Sequence, residues 1–526
     1  MVLRMPSVGV AEGEWVLDYA GGPLRTDPDT DPILDEFRDI EVLEARMGIS
    51  ATTPILNDPS NQIYADVQRF FVSITWRSLE PLSQRTYAPI YRNFFAFLSR
   101  DRGKDPFHAD DEDVGLYQTL RTDFSVNPRG AVSGATWDKD RSALDLFFTW
   151  ASNPRRGLMR SNPLHDLPRG GRSRATSRRA TPEEQRTSGR RFRPTNARAY
   201  RGKWISPATY RGWRDVGLVG HQMDPGLVEG KYTVGLPDSD FRGRNVQRNK
   251  AWTDLAYLTG LRLGEVSALM TIELPSRFCA DASDLTVASA IAKFKRERTI
   301  VLPAAAGLGL WTYRRGARAD VVGLARRVGR YDGDKWLVVS EVAQRAGGKV
   351  AVKWRDSGGW ADVRALPFET RKRMLLETSE GPEPLCIWLT EDGMPMSHGA
   401  WSHVMRRASL RYIAECERLA VPPMAVSPHC LRFSFALMYL IALHRVIDHT
   451  EGFDPREPYE PLRYDRAYRR VQAQLGHSDI TTTKEIYLAA FEDMKDADLL
   501  RGAAGDIGAI ITALAARSAR IRSDAQ

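Results

Sequence analysis

Residues 169–203 divide this chain. They carry eleven arginines and one lysine against two glutamates, with Gly, Ser, Thr and Pro between them. No apolar stripe runs through the stretch, so it cannot bury enough surface to offset the entropy of ordering it. Packed structure is therefore expected on either side, in at least two bodies. Length argues the same way, since 526 residues exceed one compact core. The formal net charge of +9 suggests a polyanionic partner, although net charge alone is a weak signal. The four cysteines, Cys279, Cys386, Cys416 and Cys430, are scattered with no C-x-x-C pair. That argues against a zinc site or a disulfide framework and fits a reducing cytoplasm. The N-terminus shows no basic-then-apolar signal segment. The most apolar run, Phe433 to Leu443, is too short to span a bilayer, so no membrane partner is expected. There is no Walker-type phosphate loop, so ATP hydrolysis is not indicated.

Residues 1–60 are rich in Gly, Pro and Asp and read as an N-terminal extension, with one helix near Pro32 to Met47. From Asn61 to Leu167 the pattern is helical. Tyr87, Ile90, Tyr91, Phe94, Phe95 and Leu98 recur at i, i+3, i+4 spacing, with Ser83 a candidate N-cap. Pro89 should bend that helix or move its start. Further helices are expected over Asp111–Thr122 and Ala135–Ser152, and Asn162-Pro163 closes the unit. Beyond Trp204, a helix over Ala208–Gly217 precedes one from Asn249 that stops at Gly260. Arg262 opens the next helix, and Glu265 lies one turn on, placed to orient the guanidinium and to complement the helix dipole. Asp284–Ala292 and Thr299–Pro303 read as strands flanking a basic tip, Lys293 to Arg298. Residues 310–384 are charged, and their elements do not order themselves from the pattern. A helix over Ala400–Ala414 follows. Pro428-His429-Cys430-Leu431-Arg432 opens another, with His429 and Arg432 three apart on one side. Residues 446–465 read as an exposed insertion. Leu475-Gly476-His477 reads as a helix end or tight turn, the Thr481-Thr482-Thr483 run as an N-cap, and Tyr487 follows. Asp496 to Arg520 contain a last amphipathic helix. Taken alone, Tyr487 is a half-buried aromatic, His477 a capping or packing histidine, and 169–203 a solvated linker.

Three stretches change that reading when taken in order: Thr259-Gly260-Leu261-Arg262-Leu263-Gly264-Glu265, then His429-Cys430-Leu431-Arg432, then Leu475-Gly476-His477 with a Thr pair and Tyr487. Together they resemble the signature of the tyrosine recombinase (integrase) family, and the long insertions and Arg- and Ala-rich style look like integrases of actinobacterial mobile elements. Residues 61–168, with their Phe-Phe-x-Trp-Ala helix and Asn-Pro, resemble the family's core-binding domain. The resemblance implies a mainly α chain with a small antiparallel β-sheet: a SAM-like helical core-binding domain (61–168), a basic linker (169–203), a DNA breaking-rejoining catalytic domain (204–500) and a helical tail (501–526). The two domains would clamp a duplex. The linker would cross its phosphates, using Arg172, Arg174, Arg178, Arg179, Arg190 and Arg191. The tail would dock on a neighbouring protomer.

The implied reaction is transesterification at a DNA phosphodiester. Tyr487 is the expected nucleophile, giving a 3′-phosphotyrosyl intermediate. Arg262 and Arg432 would hold the non-bridging oxygens. His429 would take the tyrosine proton, His477 would hydrogen-bond a phosphate oxygen, and Lys293 would protonate the departing 5′ oxygen. Lys295 is the alternative lysine, because the family often has Gly where this chain has Phe294. No cofactor and no metal are expected. The expected partner is double-stranded DNA with specific recombination sites, bound by a homotetramer on two sites, with directionality or architectural factors possible. Two other readings stay open: type IB topoisomerase-like strand cleavage, and a non-catalytic DNA-binding protein on the same scaffold.

Overall fold

The computed structural model describes residues 14–20, 46–47, 49–50, 52–128, 130–165, 192, 204–223, 234–275, 281–345, 349–421, 424–452 and 461–477. Contacts divide the chain into two units, Met1–Ala199 and Tyr200–Gln526.

The first unit is helical around a dense aromatic core. Strands β1 (Val16–Tyr19) and β2 (Pro54–Asn57) pair antiparallel ahead of helices α1 (Ala65–Phe71), α2 (Ile74–Arg77), α3 (Pro81–Phe97), α4 (Asp111–Thr122) and α5 (Gly134–Ala151). Trp15 and Leu56 join the core made by Phe70, Trp76, Tyr91, Phe94, Phe95 and Phe147, so these two residues of the 1–60 stretch pack with the helices. The helix expected near Pro32 to Met47 lies outside the described residues except for its end. Helix α3 starts earlier than Ser83: Glu80 is extended and Pro81 takes the first helical position, where its missing N–H costs no bond. Pro89 sits inside the helix without ending it. Asn162 is buried. Its amide donates to Asp145 Oδ1 at 2.8 Å and Thr149 Oγ1 at 3.0 Å, and its carbonyl oxygen accepts from Leu164 N at 2.9 Å, which closes the unit against α5. Phe192, the one described residue between 166 and 203, accepts from Trp137 Nε1 at 2.7 Å.

In the second unit, helix α6 (Pro207–Arg214) runs on through a π turn, and β3 (His221–Met223) pairs with β4 (Val234–Pro237). Helix α7 (Val246–Thr259) is its axis. Ala251, Trp252, Thr253, Leu255, Ala256 and Tyr257 are buried on every side of it. Trp252 stacks on Trp401 at 4.5 Å and Tyr257 on Tyr210 at 3.7 Å. A short helix α8 (Leu263–Ser267) follows, then the antiparallel hairpin of β5 (Ser283–Val287) and β6 (Arg298–Leu302). The first strand is shorter than the sequence suggested. Ala288–Ala292 leave the ladder and turn, with Ser289 Oγ and Ala290 N both donating to Arg364 O.

Helices α9 (Ala304–Arg315) and α10 (Ala317–Arg327) lead into β7 (Leu337–Arg345), β8 (Lys349–Trp354), β9 (Trp360–Asp362), α11 (Phe368–Arg371), β10 (Met374–Thr378) and β11 (Gly381–Pro384). These five strands form one sheet in the order β11-β10-β7-β8-β9, with β10 parallel to β7. The chain is thus mainly helical with small sheets, but the largest sheet is mixed rather than purely antiparallel. Helices α12 (His398–Arg418), α13 (Pro428–Glu451) and α14 (Asp465–Leu475) complete the unit. Helix α13 is longer than its most apolar run, and by length and composition alone it could cross a membrane; 65% of that window is buried within the protein. Nor are 446–465 simply exposed. Tyr464 is fully buried, donates to Asp448 Oδ1 at 2.6 Å and stacks on His444 at 4.1 Å. That contact fastens α14 to α13.

Candidate active site

Two helix ends create the site. Helix α7 ends at Gly260 in a left-handed conformation (φ +67°), and α14 ends at Gly476 in the same way (φ +65°). A Cβ on Gly260 would sit 2.3 Å from Phe435, so close packing as well as the dihedral demands glycine. Ending a helix leaves its last carbonyls without partners and gathers negative potential there. Arg432, in the first turns of α13, fills both ends. Its Nη1 donates to Gly260 O at 2.6 Å and its Nη2 to Leu475 O at 2.7 Å, with the residue 4% exposed. One buried guanidinium thereby ties two helix ends that are distant in sequence.

Arg262 lies just past Gly260 and caps α8. Its backbone N donates to Glu265 Oε2 at 2.9 Å and its Nη1 to Glu265 Oε1 at 3.0 Å, while Nη2 reaches Gly476 O at 3.4 Å. Glu265 thus orients Arg262, as its spacing implied. It also takes a second, closer partner that the sequence did not single out. Arg298, the first residue of β6, donates Nη1 and Nη2 to the two Glu265 oxygens at 2.9 and 2.7 Å. Burial alone would raise the Glu265 carboxyl. The Arg298 hydrogen bonds and the charges of Arg298 and Arg262 outweigh it and hold the group below its usual range.

The two histidines stand in the field of these arginines. His477 follows Gly476 and is half-buried. Its pKa is pushed down to about 3, by burial first and then by Arg432, Arg262, Arg298 and His429. His429 is more exposed. Partial desolvation, followed by the charges of Arg432, Arg262 and Lys293, lowers it as well. Both imidazoles are therefore neutral at neutral pH. Three arginines against one carboxylate leave the cluster two positive charges in excess, suited to an anion that replaces solvent.

The structure thus brings together Arg262, Glu265, Arg432, His429 and His477. Lys293 lies at the exposed tip of the β5–β6 hairpin, close enough to influence His429, with its Nζ 5.0 Å from the Phe294 ring centroid. Phe294 and Lys295 both have left-handed backbone, at φ +62° and +52°. Tyr487 lies outside the described residues, as do Arg172, Arg174, Arg178, Arg179, Arg190 and Arg191. Arg298 was missed because a lone arginine in a basic turn reads as solvated. The only available signal was its place at the start of a strand, where one side chain in two faces inward.

No protein-family model and no curated protein sequence matches this chain. Solved structures do. A lambda integrase dimer bound to a COC′ core site is 11% identical over 81% of this chain and 95% of its own, with a TM-score of 0.39. The Tn1549 transposon integrase in complex with circular intermediate DNA is 12% identical over 78% and 90%, at 0.37. XerH site-specific recombinase bound to difH substrate is 12% identical over 81% and 82%, at 0.36.

Proposed function

We propose that this chain is a site-specific DNA recombinase of the tyrosine type, cleaving and rejoining DNA through a 3′-phosphotyrosyl intermediate. The observation that carries the reading is the convergence of Arg262, Arg432, His429 and His477, drawn from three separated segments, around two helix ends. A scissile phosphodiester supplies the anion that such a cluster lacks. Arg262 and Arg432 hold its non-bridging oxygens, where planar, permanently charged donors stabilise charge that develops in the transition state. Tyr487 attacks phosphorus; the new O–P bond forms as the bond to the 5′ oxygen breaks. His429 takes the phenolic proton, His477 donates to a phosphate oxygen, and Lys293 gives its proton to the 5′ oxygen. Lys293 is preferred to Lys295 because its charge acts on His429. Tyr487 stands ten residues past His477, a tether of at most about 35 Å when extended. Electrostatic work falls to side chains, and the phosphotyrosyl bond conserves the phosphodiester energy, so neither metal nor ATP enters the scheme. The partner is duplex DNA bearing recombination sites, bound by four copies on two sites.

The test is a nicked suicide duplex built from the ends of the source element, incubated with wild type and with Tyr487→Phe. Wild type is expected to form a covalent protein–DNA adduct and the variant none. Joining to a second duplex marks a recombinase; relaxation of one supercoiled duplex without site preference marks topoisomerase-like cleavage. DNA binding without any adduct would leave a binding protein and sink the proposal.

A further inference from the structure

We infer that Arg298 is a positioning residue: it fixes the base of the lysine-bearing hairpin to the arginine floor of the site and so delivers Lys293 to the 5′ oxygen. This rests on the recombinase reading above. The tip between β5 and β6 has few restraints of its own. Residues 293–297 are exposed, and the backbone at Phe294 and Lys295 is left-handed in residues that gain nothing from it. Two ion pairs anchor its C-terminal side. Glu297 meets Arg364 at 3.1 Å, with side chains 38% and 26% exposed, a solvated pair of small worth. Arg298 meets Glu265 at 2.7 Å, with side chains 9% and 1% exposed. That second pair is buried and bidentate.

Arg298 also reaches the other wall. Its Nε donates to Gln474 O at 3.1 Å, one residue before the carbonyl that receives Arg432 and two before the carbonyl that receives Arg262. Val301 N, further along β6, donates to Gln474 Oε1 at 3.4 Å. The arginine passes over Gly476, where a Cβ would stand 3.1 Å from its Cδ, Nε and Nη1. Glycine at 476 therefore ends α14 and also clears the path of this side chain. Arg298 thus joins the hairpin, the Arg262–Glu265 pair and the end of the helix that leads to His477 and Tyr487. Without it Glu265 still holds Arg262 through two bonds, and Arg432 keeps both carbonyls. The strands stay packed through Leu285, Val287, Ile300 and Leu302; what is lost is the buried polar tie nearest the tip, and with it the place of Lys293.

The test separates proton delivery from phosphate binding by changing the leaving atom. On an ordinary suicide duplex the P–O bond breaks and the 5′ oxygen takes a proton from the Lys293 ammonium. With sulfur in place of that bridging oxygen, the P–S bond breaks and a stable thiolate leaves without a proton. Single-turnover adduct formation is measured on both substrates for full-length wild type, Arg298→Met, Arg298→Lys, Lys293→Ala and Arg262→Ala. Misplacing a catalytic group by about 1 Å costs on the order of 100-fold, so that loss is expected for both Arg298 variants on the oxygen substrate. On the sulfur substrate they, like Lys293→Ala, are expected within about tenfold of wild type, whereas Arg262→Ala stays slow on both. Arg298→Lys retains the buried charge and serves if Arg298→Met does not fold. If Lys293→Ala is rescued by sulfur but the Arg298 variants are not, the inference falls and the recombinase stands. If Lys293→Ala is not rescued either, the lysine assignment falls and takes the inference with it. No adduct from wild type on either substrate would remove the underlying function.

Discussion

His477 shows what the fold does to a single residue. A histidine in an unfolded chain takes up a proton near pH 6.5, whereas folded His477, buried among Arg432, Arg262 and Arg298, holds out to about 3. Below pH 6.5 the unfolded state therefore binds more protons. The stability tied to this group is whole above about 6.5 and falls as the pH drops toward about 3. His429 is lowered as well and acts in the same direction. Between pH 6.5 and 5 Glu265, held below its usual range, is still ionised and adds nothing to the change. The melting temperature of the full-length protein is expected to fall from pH 6.5 to 5, and less steeply in His477→Gln; parallel profiles would clear His477 of the effect. Residues of this kind were legible because they recur in short ordered motifs: Arg262 with Glu265, His429 with Arg432, His477 after Leu-Gly. Arg298 was not, because its partners, Glu265 and Gln474, lie 33 and 176 positions away. Nothing local distinguishes an arginine that points inward from its solvated neighbours.

Among the elements, helix ends matter more than helix bodies. Gly260 and Gly476 stop α7 and α14 so that their carbonyls face Arg432 and Arg262. Gly260→Ala would force a side chain into φ +67° and push its Cβ to 2.3 Å from Phe435. Left-handed strain of about 1–2 kcal/mol and overpacking of about 1–3 kcal/mol add to an expected loss of roughly 2–5 kcal/mol. The denaturation midpoint of the second unit in urea should drop accordingly; an unchanged midpoint would show that the turn tolerates a side chain. Helices α4 and α5 could be read from sequence because a 3.6-residue apolar period and local caps mark them, and α7, buried on every side, was marked by its stop at Gly260. The sheet of β7 to β11 could not. Its parallel partners, β7 and β10, are separated by two strands and a helix, and β7 alternates poorly between buried and exposed positions. The 446–465 segment misled for a related reason. Its prolines and charges suggested exposure, while Tyr464, bonded to Asp448, stacked on His444 and buried with Ile447 and Tyr468, packs the segment onto its neighbours.

At the scale of the whole chain, charge is concentrated where apolar residues are scarce. The net charge is +9, while residues 169–203 alone hold twelve cations against two glutamates. A stretch of that composition gains little by packing, but it gains by neutralising phosphates, since each neutralised phosphate releases condensed counterions. If the linker lies along duplex DNA, replacing Arg172, Arg174, Arg178, Arg179, Arg190 and Arg191 by Gln in the full-length protein frees up to six phosphates. The slope of log K against log salt would then shrink in magnitude by about 0.9 per phosphate freed, or about 5 if all six arginines engage the backbone. A non-specific duplex suits the measurement, because base readout adds nothing to that slope. The cluster around Arg262 and Arg432 is untouched by these substitutions, so cleavage at saturating protein and low salt should persist. An unchanged slope would return the segment to a solvated connection and leave DNA binding to the helical and catalytic surfaces. A reduced slope together with no cleavage at saturation would mean that the linker takes part in assembling the site itself.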